Sequence, residues 1–241
     1  RCARRVALAF WPGPLALVLP RRRDAETPLL VSAGLDTLAI RIPAHETAPA
    51  LTRAVGRPLA APSANRSGAV SPTVAAHVFE SLGDRIDMVL DAGPTAIGLE
   101  STILKVEGER AVLLRPGGLP VEEIEAVIDA PVERGTTDLA VEAPGMLASH
   151  YAPQTRLLAN VAAPADDVFY VDFGDSPFSR RPNTLNLSRY GSLREAAANL
   201  FACLRAADAE CRAKGLRPIA VAPLPPIALG EAINDRLNSA A

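Results

Sequence analysis

At 241 residues, with 49% hydrophobic and 22% charged side chains, the chain can bury a substantial core and is excluded from the disordered class. Its net charge of −2 excludes an overall electrostatic drive towards nucleic acid or an anionic membrane, so any RNA contact has to be a local patch. Aromatic residues make up only 4%, which leaves the core to Ala, Leu, Val and Ile, the composition of an α/β protein with buried strands.

The chain opens at Arg1, and RCARRVALAFWPG reads as the middle of a domain, so an N-terminally incomplete chain is expected. Short apolar runs bounded by turn signals predict strands at LALVLP (15–20), TLAIRIP (37–43), RPLAAP (57–62), MVLDAG (88–93), STILKV (101–106) and RAVLLRPGG (110–118). Helical periodicity predicts helices over 46–56, 71–83 and 119–129. Glu107-Gly108-Glu109 is a hairpin loop between two of the strands, so the sheet is expected to be mixed. From about Val132 to Gln154 the period lapses and the segment reads as a linker. Beyond it DVFYVDFG and PIAVAPLP predict strands, SLREAAANLFACLRAADAECRAKG a long helix and GEAINDRLNSAA a last one. That order predicts a small parallel-sheet domain.

The three cysteines, Cys2, Cys203 and Cys211, form no CxxC pair and no metal-ligand spacing with the three histidines, which favours free thiols in a reducing cytoplasm over a zinc site. Cys203 and Cys211 lie near one stripe of the long helix with Leu200 and Leu204 and read as core fillers. No apolar run approaches the roughly 18 residues of a membrane helix, and the first ten residues lack a signal-peptide pattern. A soluble, cytoplasmic protein is expected.

Several residues are candidates for chemistry. The stretch APSANRSGAVSPT (61–73) is small, polar and stiffened, with Ser71 as the expected helix N-cap and Pro72 as the first helical residue. Its serines, Ser63, Ser67 and Ser71, and Asn65 either only cap and turn the chain or, with the loop amides, cradle an anion at the helix start. In TLAIRIP the alternation sets Thr37, Ala39 and Arg41 on one face, and Arg41 either faces solvent or grips a carboxylate through its forked guanidinium, with the Thr37 hydroxyl nearby. Arg115 ends a strand before Pro116-Gly117-Gly118, as a surface cation or a ligand contact at a strand end. Arg21 to Arg23 read as a solvated turn or an RNA-facing patch. His150 and Tyr151, in HYAP, are either a packing anchor or part of a lid. A hydrolase with Ser63 or Ser101 as nucleophile and His150 as base lacks both a GxSxG elbow and an orienting acid. GxxxxGK[ST], GxGxxG and HExxH are absent too.

Together, FWPGPLALVLP, TLAIRIPAH, APSANRSGAVSPT, DAGPTAIGLESTIL, LLRPGG and PGMLASHYAP resemble the threonylcarbamoyl-AMP synthase family in its two-domain form. The resemblance runs from about residue 10 to the end and implies a YrdC-like twisted mixed sheet with helices, plus a small Rossmann-like C-terminal domain with a parallel sheet. Its expected divisions are a catalytic domain at 1–131, a linker at 132–156 and the C-terminal domain at 157–241. It further implies synthesis of threonylcarbamoyl-adenylate and pyrophosphate from ATP, L-threonine and bicarbonate, for the N6-threonylcarbamoyl modification of tRNA adenosine. Thr37, Ser63, Ser71 and Arg115 match ATP-contacting positions, while Arg41, the Ala61 backbone and Ser101 match positions around L-threonine. Tyr151 matches the segment that folds over the active site as a lid. No residue is expected to act as a covalent nucleophile. A magnesium ion is expected with ATP rather than in a protein cage, and a tRNA threonylcarbamoyl-transfer machinery is the expected downstream partner.

The family's catalytic domain normally begins with a threonine-rich strand and turn and a Lys-x-Arg motif, and nothing in this sequence matches either. Two other readings compete with the synthase. One is a tRNA- or double-stranded-RNA-binding module, opposed by the charge balance. The other is carbamoyl transfer, which the HYAP linker and C-terminal domain fit less well.

Overall fold

The computed structural model describes residues 1–25, 27–135 and 151–241. Its elements in chain order are α1 (Cys2–Phe10), β1 (Leu15–Pro20), β2 (Thr37–Arg41), α2 (Thr47–Val55), α3 (Ala75–Leu82), β3 (Thr102–Glu107), β4 (Arg110–Arg115), α4 (Val121–Ile128), β5 (Glu133–Arg134), β6 (Leu157–Leu158), β7 (Phe169–Asp172), β8 (Thr184–Asn186), α5 (Leu193–Lys214), β9 (Ile219–Val221) and α6 (Leu229–Ala240). The fold is α/β, as expected, with one mixed and one parallel sheet. Two compact units divide the described residues: Arg1–Pro62 with Glu100–Leu147, and Ser63–Leu99 with Ala148–Ala241.

The first unit holds a five-stranded sheet in the order β2-β1-β3-β4-β5. β1 pairs antiparallel with β2 and parallel with β3, and the β3–β4 hairpin turns at Gly108, whose φ of 63° suits a glycine. Leu15, Leu17, Leu104 and Leu113 bury one sheet face against α1 and α4, where Cys2, Val6, Ile124 and Ile128 meet them. The helix α1 was not expected, because Arg4 and Arg5 interrupt a nine-residue element whose buried positions, Cys2 and Val6, are only one turn apart.

Two expected strands, 57–62 and 88–93, are irregular instead. Leu59, Met88 and Leu90 are exposed, and no strand among the described residues pairs with either run. An apolar run becomes a strand only where a neighbour completes its ladder. Pro58 and Pro62 also remove two donors from the first.

The second unit holds a four-stranded parallel sheet in the order β6-β9-β7-β8. Ser192 caps α5 by accepting the Glu195 N–H, and Gly215, at φ 70°, ends it in the left-handed conformation. One face of α5 drives Ala197, Leu200, Phe201, Leu204 and Cys211 into a core completed by Phe169, Val171, Ile219, Ile233 and Leu237. Cys211 is a core filler as expected, and Cys203 packs partly buried against the same cluster. Burial pushes the Cys203 thiol up to about 11, which keeps it protonated and unreactive.

The helix α3 also lies in this unit and starts four residues later than expected. Val74, at φ −142° and ψ 160°, precedes Ala75, and no side chain caps the helix. Ser71 and Pro72 remain in the incoming loop, where the Ser71 carbonyl accepts from Arg205 rather than from a following helical N–H.

Candidate functional site

In the first unit a latch forms where β3 begins. Thr102 is fully buried, and its hydroxyl donates to the Leu119 carbonyl at 2.6 Å while accepting the Leu119 N–H at 3.0 Å. The Gly118 N–H donates to the Glu100 carbonyl at 2.8 Å. Gly117 lies so close that a Cβ there would sit 2.4 Å from the Thr102 nitrogen, which excludes any side chain. This closure folds the Pro116-Gly117-Gly118 turn against the residues preceding β3. It brings Arg115, at the end of β4, to Ser101: Arg115 Nη2 donates to the Ser101 carbonyl at 2.8 Å, and both residues are buried. Arg115 is therefore no surface cation. A guanidinium buried beside a serine is a ready partner for anionic groups, because it donates in a fixed fork at low solvation cost.

At the other side of the same sheet Arg41 ends β2 opposite Ala16. Its Nε donates to the Gly13 carbonyl at 3.1 Å, and the Gly13 N–H donates to the Ile42 carbonyl at 2.8 Å, so the strand end is tied to the segment entering β1. Thr37 starts β2, opposite Pro20. Thr37 and Arg41 share a face, yet four residues of extended chain separate their Cα atoms by about 13 Å. They do not meet at one contact point. Ala61 is exposed in the irregular 57–62 segment. Beside the β2 end an open depression is lined in part by Pro12, Pro43, His45, Glu46 and Arg53.

In the second unit the loop entering α3 is held from several directions. Asn65 Nδ2 donates to the carbonyls of Arg66 and Ala69, both at 2.9 Å, closing the loop on itself. Ala152 forms a parallel bridge with Ala69, its N–H donating to the Gly68 carbonyl at 2.9 Å. From α5, Arg205 donates to the carbonyls of Val70 at 2.5 Å and Ser71 at 3.4 Å. The Thr95 N–H takes the Thr73 carbonyl at 2.9 Å, and the Thr73 N–H donates to His77 Nδ1 at 3.2 Å. Burial, and then the Arg205 charge, push the His77 ring below its ordinary value, while Glu80 opposes them. His77 thereby stays neutral and able to accept. Ser71 is buried within this loop and Ser63 is exposed at its start.

Tyr151 is also buried in the second unit, at a φ of 64°. Its ring stacks on Phe201 at 5.7 Å and lies 4.9 Å from the Arg236 guanidinium carbon. The packing role foreseen for HYAP thus belongs to Tyr151, while His150 lies outside the described residues. Of the expected site residues, Thr37, Arg41, Ala61, Ser101 and Arg115 belong to the first unit, and Ser63, Ser71 and Tyr151 to the second. Sequence reasoning missed Arg205 and His77. His77 falls in an ordinary helical run, and Arg205 sits in the middle of a helix more than a hundred residues from the loop it holds, so no local pattern marks either.

Among the described residues no group of three or more His, Cys, Asp or Glu side chains is placed to hold a metal ion. Nor is any helix among them long and apolar enough to cross a membrane.

A family model described as telomere recombination matches residues 1–117, and one described as threonylcarbamoyl-AMP synthase, C-terminal domain, matches residues 119–241. Over 170 residues the chain is 47% identical to a threonylcarbamoyl-AMP synthase from Pyrococcus abyssi, an alignment covering 69% of this chain and 49% of that protein. Over 151 residues it is 52% identical to the Bacillus subtilis threonylcarbamoyl-AMP synthase, covering 61% of this chain and 43% of that one. The chain thus spans about half the length of the curated relatives it matches. A crystal structure of the Pyrococcus abyssi protein Sua5 complexed with L-threonine superposes with a TM-score of 0.85 at 37% identity, covering 99% of this chain and 73% of that one. Another structure of the same protein, with a histidine and the following tyrosine both replaced by alanine, gives a TM-score of 0.84. With models matching along the chain and a relative of this likeness, the chain belongs to the threonylcarbamoyl-AMP synthase family.

Proposed function

We propose that the protein makes L-threonylcarbamoyl-adenylate and pyrophosphate from ATP, L-threonine and bicarbonate, supplying the N6-threonylcarbamoyl modification of tRNA. The observation that carries this reading is the likeness, over 99% of the chain, to a relative complexed with L-threonine. The threonine amine captures bicarbonate as a carbamate with loss of water. A carbamate oxygen then attacks the α-phosphorus of ATP, the bond to pyrophosphate breaks, and the mixed anhydride forms. Little covalent work falls to the protein, which contributes positioning, charge stabilisation and exclusion of water.

Arg115, Thr37, Ser63 and Ser71 take ATP in this reading, with the buried Arg115 guanidinium as the cation facing phosphate. Arg41, the Ala61 backbone and Ser101 take L-threonine, Arg41 holding its carboxylate. Tyr151 roots the segment that closes over the reactants, which protects a carbamate and a mixed anhydride from water. Residues 1–131 form the catalytic domain, 132–156 the linker and 157–241 the C-terminal domain. Magnesium bound with ATP would supply charge neutralisation on the phosphates, on the side of the nucleotide that Arg115 is proposed to face. The reaction belongs in the cytoplasm, where a tRNA-binding transfer enzyme consumes the product.

The test incubates the chain with ATP, labelled bicarbonate and L-threonine and follows pyrophosphate. Release that depends on threonine is expected. Release without threonine, or none at all, would overturn the reading.

A further inference from the structure

Arg205 belongs to a helix of the C-terminal half, yet four of its contacts lie in the stretch from Val70 to Ser81. Its guanidinium donates to the carbonyls of Val70 and Ser71 and to Ser81 Oγ at 3.2 Å, and lies 3.6 Å from Glu80. The side chain is only 16% exposed, so these bonds form with little competition from water. Close packing supports the same junction: Gly98, at φ 77°, lies against α5 so tightly that a Cβ would fall 2.3 Å from the Ala197 carbonyl oxygen. Val70 joins the core built around Leu200 and Leu204.

The consequence is a division of labour in the loop. Backbone carbonyls at 68, 70, 71 and 73 are each taken by a donor from elsewhere in the unit, respectively Ala152, Arg205, Arg205 and Thr95. Arg205 is the only side chain among those donors, and it spans two consecutive carbonyls, which fixes the peptide plane between Val70 and Ser71. The Ser71 carbonyl lies in the following peptide plane, so with both planes held the direction of the Ser71 Cα–Cβ bond is set as well. No side chain caps α3 at Val74, and Arg205 holds two of the carbonyls on the approach to it.

We infer that Arg205 is a positioning residue, through which the C-terminal helix α5 sets the Val70–Ser71 backbone and thereby the nucleotide affinity of the loop. The nucleotide half of this inference rests on the proposed synthase reading. Truncation should release the loop while leaving the fold of the second unit standing, because the core on α5 is apolar and independent of the guanidinium.

Hydrogen exchange on the whole chain without ligand tests the mechanical half, comparing the wild type with Arg205→Met and Arg205→Lys. Bonds from a charged donor of this kind predict about a tenfold rise in exchange at the amides of Ala69 and Thr73 in Arg205→Met, with β7 and β9 unchanged and partial recovery in Arg205→Lys. Unchanged exchange in the loop, or a rise shared by β7 and β9, would overturn it. Calorimetric titration tests the nucleotide half: about a tenfold weaker Kd for ATP with L-threonine unaltered is expected. Equal weakening of both ligands would overturn that half. If the wild type itself bound no ATP, the synthase reading would fall along with that half, and exchange would still decide whether Arg205 positions the loop.

Discussion

The Arg236 guanidinium carbon lies 4.9 Å from the centroid of the Tyr151 ring, and neither side chain reaches solvent. Phe201 stacks on the same ring, so Tyr151 is clamped between an aromatic face and a cation at the point where the chain enters the C-terminal half. Replacing it by alanine removes a buried ring together with both contacts. Tyr151→Ala should destabilise the chain by about 3–5 kcal/mol in urea unfolding. Tyr151→Phe keeps the ring and should retain most of that stability, and equal losses in the two variants would locate the effect in the hydroxyl instead.

Thr102 and Leu119 form a two-way latch whose loss is isosteric. Thr102→Val preserves volume but leaves the Leu119 N–H and carbonyl, both facing a buried site, without the hydroxyl that serves them. A cost of about 1–3 kcal/mol is expected, measured as a shift in the urea midpoint. The turn carrying Arg115 towards Ser101 depends on this latch, so ATP affinity should fall in the same variant. Unchanged affinity at reduced stability would separate the turn from the site.

His77 gives a pH dependence of defined sign. Its folded value lies below the ordinary 6.5, so the unfolded chain binds the proton more readily. Its contribution is fully present above pH 6.5 and is lost as pH falls through the depressed folded value. Protonation abolishes the acceptor that serves the Thr73 N–H and sets a second cation near Arg205. Unfolding at pH 8 and pH 5 should therefore show a larger acid loss in the wild type than in His77→Gln. Identical losses would mean that other groups govern the acid limb.

On the proposed assignment of Arg41 to the L-threonine carboxylate, Arg41→Ala should raise the Kd for L-threonine about tenfold or more and leave that for ATP nearly unchanged. Titration of each ligand separately reads this directly. Equal losses for both would show that Arg41 holds the strand end through Gly13 rather than the amino acid.

Much of the local structure was legible in residue order. The apolar run LALVLP, the alternation in TLAIRIP, the glycine between STILKV and RAVLLR, and Ser192 ahead of the long apolar stripe each state a backbone preference within a few residues. The strands and helices found there answer to those preferences. RPLAAP and MVLDAG carry the same apolar signal and are not strands, because pairing is supplied by a neighbour and not by the run itself.

By itself the sequence determined the α/β class, the mixed and parallel sheets, the family resemblance and the residues on which chemistry is proposed, since period, turn chemistry and motif order are properties of adjacent residues. Only the tertiary structure decided that Arg115 is buried on the Ser101 carbonyl, that Tyr151 packs against Phe201 and Arg236, and that Arg205 donates to the Val70 and Ser71 carbonyls ahead of α3. Each joins groups distant in sequence, and which donor satisfies a buried carbonyl is settled by packing, where leaving it unpaired is costly, and not by local preference.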